Sequence, residues 1–258
     1  MRRIFFLVLA SVCSAWSQAR PAVRPPMPMV DIDVDSSWPV NTDSAIDAQR
    51  NRTSDTAFVS VSDLSVPRRA RRELEKANHS FAKQNWMQAR DQLNKAISFD
   101  PSYADAYNNL GVAYAYLGDL GQERKALEKA IALDDHLALA HFNIGRVDIA
   151  EGKLSEAESA LKKAETLAPQ DPRAFVALGY CQLLQKRFDD AIATSQEAHK
   201  LSAPHAVAHR LAARAFEQKR QFDRAATELN LFLGEEPAGS SADEVRKELR
   251  LVEAAQKK

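Results

Sequence analysis

Two histidines and a cysteine are the side chains of this sequence that come nearest to a metal site or a catalytic nucleophile. His205 and His209 stand four residues apart, a spacing that places two imidazoles on one helix face and can hold zinc. No glutamate lies between them, and no third ligand is close in sequence. His209 also shares a position of the repeat described below with aromatic residues, so we interpret it as a packing residue and expect no metal site.

Cys181 is surrounded by apolar residues such as Tyr180, Leu183 and Leu184, which predicts a buried, inert thiol rather than a nucleophile. The sequence has no nucleophile elbow, P-loop or dinucleotide fingerprint. We therefore expect no catalytic residues, no cofactor and no enzyme activity. Lys+Arg and Asp+Glu both total 35, whereas nucleic-acid-binding proteins normally carry a basic excess, so we expect no nucleic-acid partner.

The first nineteen residues are typical of a secretion signal. Arg2 and Arg3 precede an apolar run from Ile4 to Val12, and Ser17 and Ala19 fit the small-x-small pattern that signal peptidases cut. The run is much shorter than the roughly 20 apolar residues that span a bilayer, so cleavage after Ala19 is favoured over a permanent anchor. The predicted location is the periplasm or the cell exterior.

Cys13 leaves a second interpretation open. The preceding Ala10, Ser11 and Val12 resemble the lipobox of bacterial lipoproteins, although Val12 is bulky for the position before a lipidated cysteine. Ordinary cleavage would discard Cys13 and leave Cys181, which cannot form an internal disulfide alone. We expect contact with a membrane only if the signal is uncleaved or Cys13 is lipidated.

Residues 20–66 are predicted to be a flexible, proline-rich linker. Five prolines fall between Arg20 and Pro39, and no apolar period is sustained through to about Thr56. Such a segment cannot bury enough apolar surface to offset the entropy of ordering it. Residues 57–66 alternate as an extended chain does, and we expect them to dock as an arm on the first helices.

From residue 70 to residue 239 the sequence repeats every 34 residues without insertions. The five rows are residues 70–103, 104–137, 138–171, 172–205 and 206–239, and we call each position within a row a column. Small residues fill most of the eighth, twentieth and twenty-seventh columns, which lets two antiparallel helices pack closely. The eighth column holds Ala77, Gly111, Gly145, Gly179 and Ala213. Each row is therefore predicted to be one helix hairpin.

These columns resemble the tetratricopeptide-repeat (TPR) family, with its small eighth, twentieth and twenty-seventh residues and a proline near position thirty-two. The resemblance implies an all-α, right-handed superhelical solenoid of five hairpins. A capping helix at about residues 241–256 is expected after them, because Val245, Leu249 and Val252 have helical spacing. Glu123 departs from the alanine of the twentieth column, and we expect it to loosen the second hairpin locally.

In TPR proteins the first helix of each hairpin lines the concave face, so the resemblance also implies a binding groove. The implied inner-wall residues are Asn78, Asn108, Asn109, Val112, Tyr116, Asn143, Arg146, Arg173, Tyr180, Arg210 and Arg214. The asparagines could pair with the backbone of an extended peptide. The arginines predict a groove that is basic towards its C-terminal end and a protein or peptide partner that is acidic.

Leu74 and Leu139 stand where the carboxylate clamp of chaperone adaptors requires lysines, so the sequence does not predict a chaperone adaptor. Two hypotheses of different classes remain. The favoured one is an extracytoplasmic scaffold or adaptor, since helix arrays supply rigid concave surfaces and little chemistry. The alternative is an assembly factor attached to a membrane, similar to the TPR lipoproteins of outer-membrane or pilus biogenesis, and lipid on Cys13 would support it.

Overall fold

The computed structural model describes residues 66–201 and 206–256. The predicted signal peptide, the linker, the arm before Val66, and His205 lie outside these residues. The described helices are α1 (Arg68–Ala82), α2 (Trp86–Phe99), α3 (Ala104–Leu117), α4 (Leu120–Leu133), α5 (Ala138–Glu151), α6 (Leu154–Leu167), α7 (Pro172–Leu184), α8 (Phe188–Leu201), α9 (Ala206–Gln218), α10 (Phe222–Glu235) and α11 (Ser240–Gln256).

The helices pair as the repeat predicts. Odd-numbered helices from α1 to α9 are the first helices of the five hairpins, and even-numbered helices from α2 to α10 are the second helices. Each first helix packs mainly against its own second helix, and each hairpin packs against the next. No strand occurs in the described ranges. The predicted all-α solenoid of five hairpins is thus confirmed, and α11 covers the last one by burying Val245 and Val252 against α10.

The small residues of the eighth column make the hairpins tight. A Cβ atom built on Gly145 would lie 2.7 Å from the Leu161 Cγ, and one on Gly111 would lie 2.7 Å from the Leu127 Cγ. Both distances are far below a normal carbon–carbon contact of about 3.5–4.0 Å. Because the leucine of the second helix fills the space that a side chain would need, only glycine fits at these positions.

The expectation that Glu123 loosens the second hairpin is wrong. A Cβ on Gly111 would lie 3.4 Å from the Glu123 backbone oxygen, and the equivalent distance in the third hairpin, from Gly145 to the Ala157 backbone oxygen, is also 3.4 Å. The two hairpins are therefore equally close. The Glu123 side chain is only 6% exposed. The charges that act on its carboxyl group include Arg146 and Glu151 of the next repeat as well as Arg124 of its own helix.

The turn within each hairpin places one residue in the left-handed region. Gly118 and Gly152 have φ of 75° and 77°, as suits glycine, which has no Cβ to clash. The same column holds Gln84, Lys186 and Arg220 in the other three hairpins, with φ of 55°, 62° and 58°. Three turns therefore carry a strained conformation that glycine would relieve.

Within the described ranges, no helix combines the length and the apolar composition needed to cross a membrane.

Candidate protein-binding groove

The first helices form one continuous wall. Besides its hairpin contacts, α3 touches α5, α5 touches α7, and α7 touches α9, whereas contact between neighbouring second helices is at most marginal in the described part of the chain. When the helices of an array approach each other on one side only, the array curves towards that side. The first helices thus share one face of the array, the face predicted to be concave, and we call this face the groove.

The four predicted asparagines form a chain of hydrogen bonds across the first three repeats. Asn143 donates to Asn108 (3.0 Å), Asn108 donates to Asn109 (3.1 Å), and Asn109 donates to Asn78 (3.3 Å). Asn108 and Asn109 are only 1% and 0% exposed. These two amides lie beneath the groove surface and connect repeats, so in this arrangement they are not available to pair with a peptide backbone.

The apolar members of the predicted wall are partly or wholly packed. Tyr116 stacks on Trp86 with ring centroids 4.0 Å apart and an angle of 7° between the rings. Val112 is half-buried against the core of the first two repeats. Tyr180 is buried, and this burial raises the pKa of its hydroxyl group. Tyr116 and Val112 thus offer partial apolar surface, while Tyr180 contributes mainly to packing.

The centre of the groove carries two arginines around one aromatic ring. The guanidinium carbons of Arg146 and Arg173 each lie 5.8 Å from the centroid of the Phe142 ring, within cation–π distance. Arg173 also pairs with Asp171 through two hydrogen bonds of 2.8 and 2.5 Å to the two carboxylate oxygens. Arg146 has no carboxylate within 4.0 Å among the described residues. Burial lowers the pKa of Arg146, and the nearby Glu123 opposes this effect.

The expected basic C-terminal end of the groove needs correction. Arg210 bonds to Glu244 (3.2 Å) and Glu248 (3.1 Å), and Arg214 bonds to Glu248 (3.3 Å). Both glutamates lie on α11, which the sequence prediction treated only as a cap. These carboxylates neutralise the two guanidinium groups, and Asp171 does the same for Arg173. Among the predicted groove arginines, Arg146 at the centre is therefore the one without a carboxylate partner in the described residues.

A family model described as TPR repeat matches residues 77–118, and two models described as tetratricopeptide repeat match residues 104–136 and 148–196. The chain belongs to the tetratricopeptide-repeat family. No curated protein matches this TPR sequence.

Several solved TPR structures have a similar fold. PilF of Pseudomonas aeruginosa is 23% identical with a TM-score of 0.63, covering 73% of this chain and 86% of PilF. MamA from Desulfovibrio magneticus RS-1, from its residue 41 to its end, is 18% identical with a TM-score of 0.59, covering 68% and 99%. YrrB, described as a TPR protein with an unusual peptide-binding site, is 21% identical with a TM-score of 0.54, covering 68% and 90%. At these identities the likeness shows the fold.

Three groove residues were missed by the sequence prediction. Phe142 lies in the same column as Asn108 and Arg210, and Glu244 and Glu248 continue the columns of Arg210 and Arg214 into a sixth row starting at Ser240. Extending the TPR register through the capping helix would have found the two glutamates. Nothing in the sequence alone marked Phe142 as the ring between two arginines.

The other residues with possible chemistry lie outside the groove. The Cys181 thiol is buried, donates to the Leu154 carbonyl oxygen (3.2 Å), and has its pKa raised to about 11 by burial. It is therefore an inert packing residue, as predicted. His209 lies beside His199 and Glu228 rather than on a bare helix face, and the carboxylate of Glu228 raises the pKa of His209.

Proposed function

We propose that this TPR protein is an extracytoplasmic scaffold that binds a partner protein or peptide in its concave groove. The observation that carries the proposal is the continuous wall of first helices with the Phe142, Arg146 and Arg173 cluster at its centre. A rigid concave surface of stacked helices is suited to binding a chain and offers little chemistry. The signal-like residues 1–19 support a location in the periplasm or outside the cell.

We further propose that the partner presents acidic side chains to the groove centre. Arg146 is a half-buried cation without a close carboxylate, and a carboxylate from a partner would supply the missing counter-charge. The guanidinium group of arginine binds a carboxylate through two parallel hydrogen bonds, and partial burial makes such hydrogen bonds stronger than at an open surface. Arg173, Arg210 and Arg214 already have intramolecular carboxylates, so each contributes less than Arg146 to binding an acidic partner.

The first experiment locates the binding face. A photo-crosslinking amino acid is placed at Asn78 in the groove and, as a control, at Lys129, which is exposed on the second helix α4. Irradiation in cells of the source organism should link one protein to position 78 and not to position 129. Equal labelling from both positions would contradict binding in the groove.

The second experiment tests the acidic character with the crosslinked partner. Replacing Arg146 and Arg173 with Glu should weaken binding by about tenfold or more, and binding to the unaltered protein should weaken as salt screens the charges. The matched control replaces Lys125 and Lys129, both exposed on α4, with Glu. Undiminished binding by a folded R146E/R173E variant, or an equal loss in the control, would refute the acidic-partner proposal.

The location is tested separately. Mass spectrometry of the protein from the envelope fraction should show a chain that begins at Arg20. A mass that includes a fatty acid on Cys13 would favour the membrane-attached assembly factor instead, while recovery of the full-length chain in the cytoplasm would contradict both.

A further inference from the structure

A cluster of metal-binding side chain types lies where the fourth and fifth repeats meet, outside the groove. His199 comes from the end of α8, His209 from the start of α9, and Glu235 is the last residue of α10. One possible ligand atom from each residue lies within 4.8 Å of the other two. Glu235 Oε1 is 3.6 Å from His209 Nε2 and 3.8 Å from His199 Nδ1, and the centroids of the two imidazole rings are 4.5 Å apart.

Two atoms of this cluster lack hydrogen-bond partners. His199 Nδ1 and Glu235 Oε2 are both buried without a partner in the described part of the chain. Buried polar atoms in folded proteins are nearly always paired, because leaving them unpaired costs free energy. The two unpaired atoms belong to two different residues of the same cluster, and a bound cation would satisfy both.

A fourth residue orients one of the imidazoles. His209 Nδ1 is 2.7 Å from Glu228 Oε2, and when Nδ1 carries the proton of this hydrogen bond, the lone pair of the neutral ring is on Nε2. Nε2 is the atom that faces Glu235. This is the carboxylate–histidine–metal arrangement that fixes the orientation of histidine ligands in metal sites.

The sequence columns show that these side chains stand where other repeats carry mostly apolar residues. Glu235 occupies a column that holds Phe99, Leu133, Leu167 and Leu201 in the other four repeats. His199 occupies a column that holds Ile97, Ile131 and Leu233 in the first, second and fifth repeats, with Glu165 in the third. Apolar residues would pack at this junction at lower cost than two imidazoles and a carboxylate, so the substitutions point to a ligand.

We propose that His199, His209 and Glu235 bind a divalent transition-metal ion, with Zn²⁺ the expected occupant and Glu228 as a positioning residue. Around a tetrahedral zinc ion with bonds of about 2.0–2.1 Å, ligand atoms lie about 3.3 Å apart. The two histidine–carboxylate separations are 3.6 and 3.8 Å and all three ligand atoms lie within 4.8 Å of one another, so side-chain rotations would bring them to this spacing. Two imidazoles favour Zn²⁺, Co²⁺ or Ni²⁺ over Mg²⁺ and Ca²⁺, which prefer oxygen ligands. The metal would join α8, α9 and α10 and so fix the fifth repeat on the fourth.

The proposal departs from the sequence-based interpretation of His209 as a packing residue and from the expectation of no metal site. It also differs from the His205–His209 pair that the sequence spacing offered. The His209 partners here are His199 and Glu235, which are 10 and 26 residues away in sequence and come from two other helices.

The test uses the full-length protein, purified with a tag free of histidine, and titrates it with ZnCl₂ by calorimetry near pH 7.5. We expect one Zn²⁺ per chain, a higher melting temperature with Zn²⁺, and no comparable effect of Mg²⁺ or Ca²⁺. Co²⁺ in place of Zn²⁺ should give the visible absorption of a tetrahedral nitrogen and oxygen site. Absence of stoichiometric Zn²⁺ binding would overturn the proposal and leave the cluster as histidine–carboxylate ion pairs.

Variants identify the ligands. His199→Ala and Glu235→Gln should lower the Zn²⁺ affinity by about a hundredfold or more, and Glu228→Gln by about 10–100-fold with the Co²⁺ spectrum retained. His136→Ala removes an exposed histidine beside Asp134 and Asp135 and should change nothing. His205→Ala should retain binding; loss of binding there, with retention in His199→Ala, would assign the metal to the His205–His209 pair and refute this site. Circular dichroism checks that each variant folds, and His199→Gln replaces His199→Ala if the latter does not.

Discussion

Glu123 is a buried carboxyl group whose ionisation should weaken the fold as pH rises. Burial raises its pKa from 4.5 to about 7, while Arg146 and Arg124 partly oppose this shift and Glu151 adds to it. The unfolded chain therefore releases this proton near pH 4.5 and the folded chain near pH 7, so the unfolded state binds fewer protons between these values. Stability should fall through this window and remain lower above it.

The size of the effect follows from the shift. Each pKa unit corresponds to about 1.4 kcal/mol, so the penalty above pH 7 is at most about 3.5 kcal/mol. Glu123→Gln removes the charge and keeps the volume of the side chain. The variant should gain little over the parent protein near pH 5, and its advantage in free energy of unfolding should increase by roughly 2 kcal/mol between pH 5 and pH 8.

Urea unfolding of both proteins near pH 5 and pH 8, followed by far-UV circular dichroism, measures this difference. Glu158→Gln is a control of opposite sign, because hydrogen bonds from Lys162 and Arg187 lower the pKa of Glu158 to about 2. That variant should be less stable than the parent at pH 8, by less than about 1 kcal/mol since these ion pairs face solvent. A Glu123→Gln advantage that is equal at both pH values, or a loss of stability at pH 8, would refute the reasoning.

Two further predictions concern packing and turns, and thermal unfolding checks both. Lys186→Gly should stabilise the protein by about 0.5–1 kcal/mol, because Lys186 has φ of 62° and glycine adopts this conformation without strain; an unchanged or lower melting temperature would contradict this. Ala157→Leu should destabilise it by roughly 1–3 kcal/mol or more, since Ala157 is fully buried where the helices of the third hairpin meet. A melting temperature unchanged by Ala157→Leu would count against the repeat register.

The architecture was predictable because every row of the repeat has the same pattern of small and large residues. Gly111, Gly145 and Gly179 recur at intervals of 34 residues, and each lies where a leucine from another helix leaves no room for a side chain. Such steric requirements depend on neighbours in the same or the adjacent hairpin, so the column pattern is sufficient to infer them.

The electrostatics were not predictable in the same way. Glu123 was expected to separate two helices because the column analysis considered its size at the hairpin contact, whereas charges of the next repeat also act on its carboxyl group. Arg210 and Glu248 are 38 residues apart, and the cluster of His199, His209 and Glu235 combines three helices without a local motif. The ion-pair partners of long charged side chains depend on how the helices are arranged in three dimensions, and the columns of one row do not contain that information.

The capping helix has a second role that hydrophobic covering alone does not explain. Arg210 is only 9% exposed, and a guanidinium group removed from water is costly unless carboxylates pair with it. Glu244 and Glu248 supply that pairing from the same columns in which Arg210 and Arg214 stand one row earlier. Because α11 brings carboxylates to the last two groove arginines, the C-terminal end of the groove has little uncompensated positive charge. Under the proposed function, an acidic partner would therefore bind chiefly at Arg146, in the middle of the array.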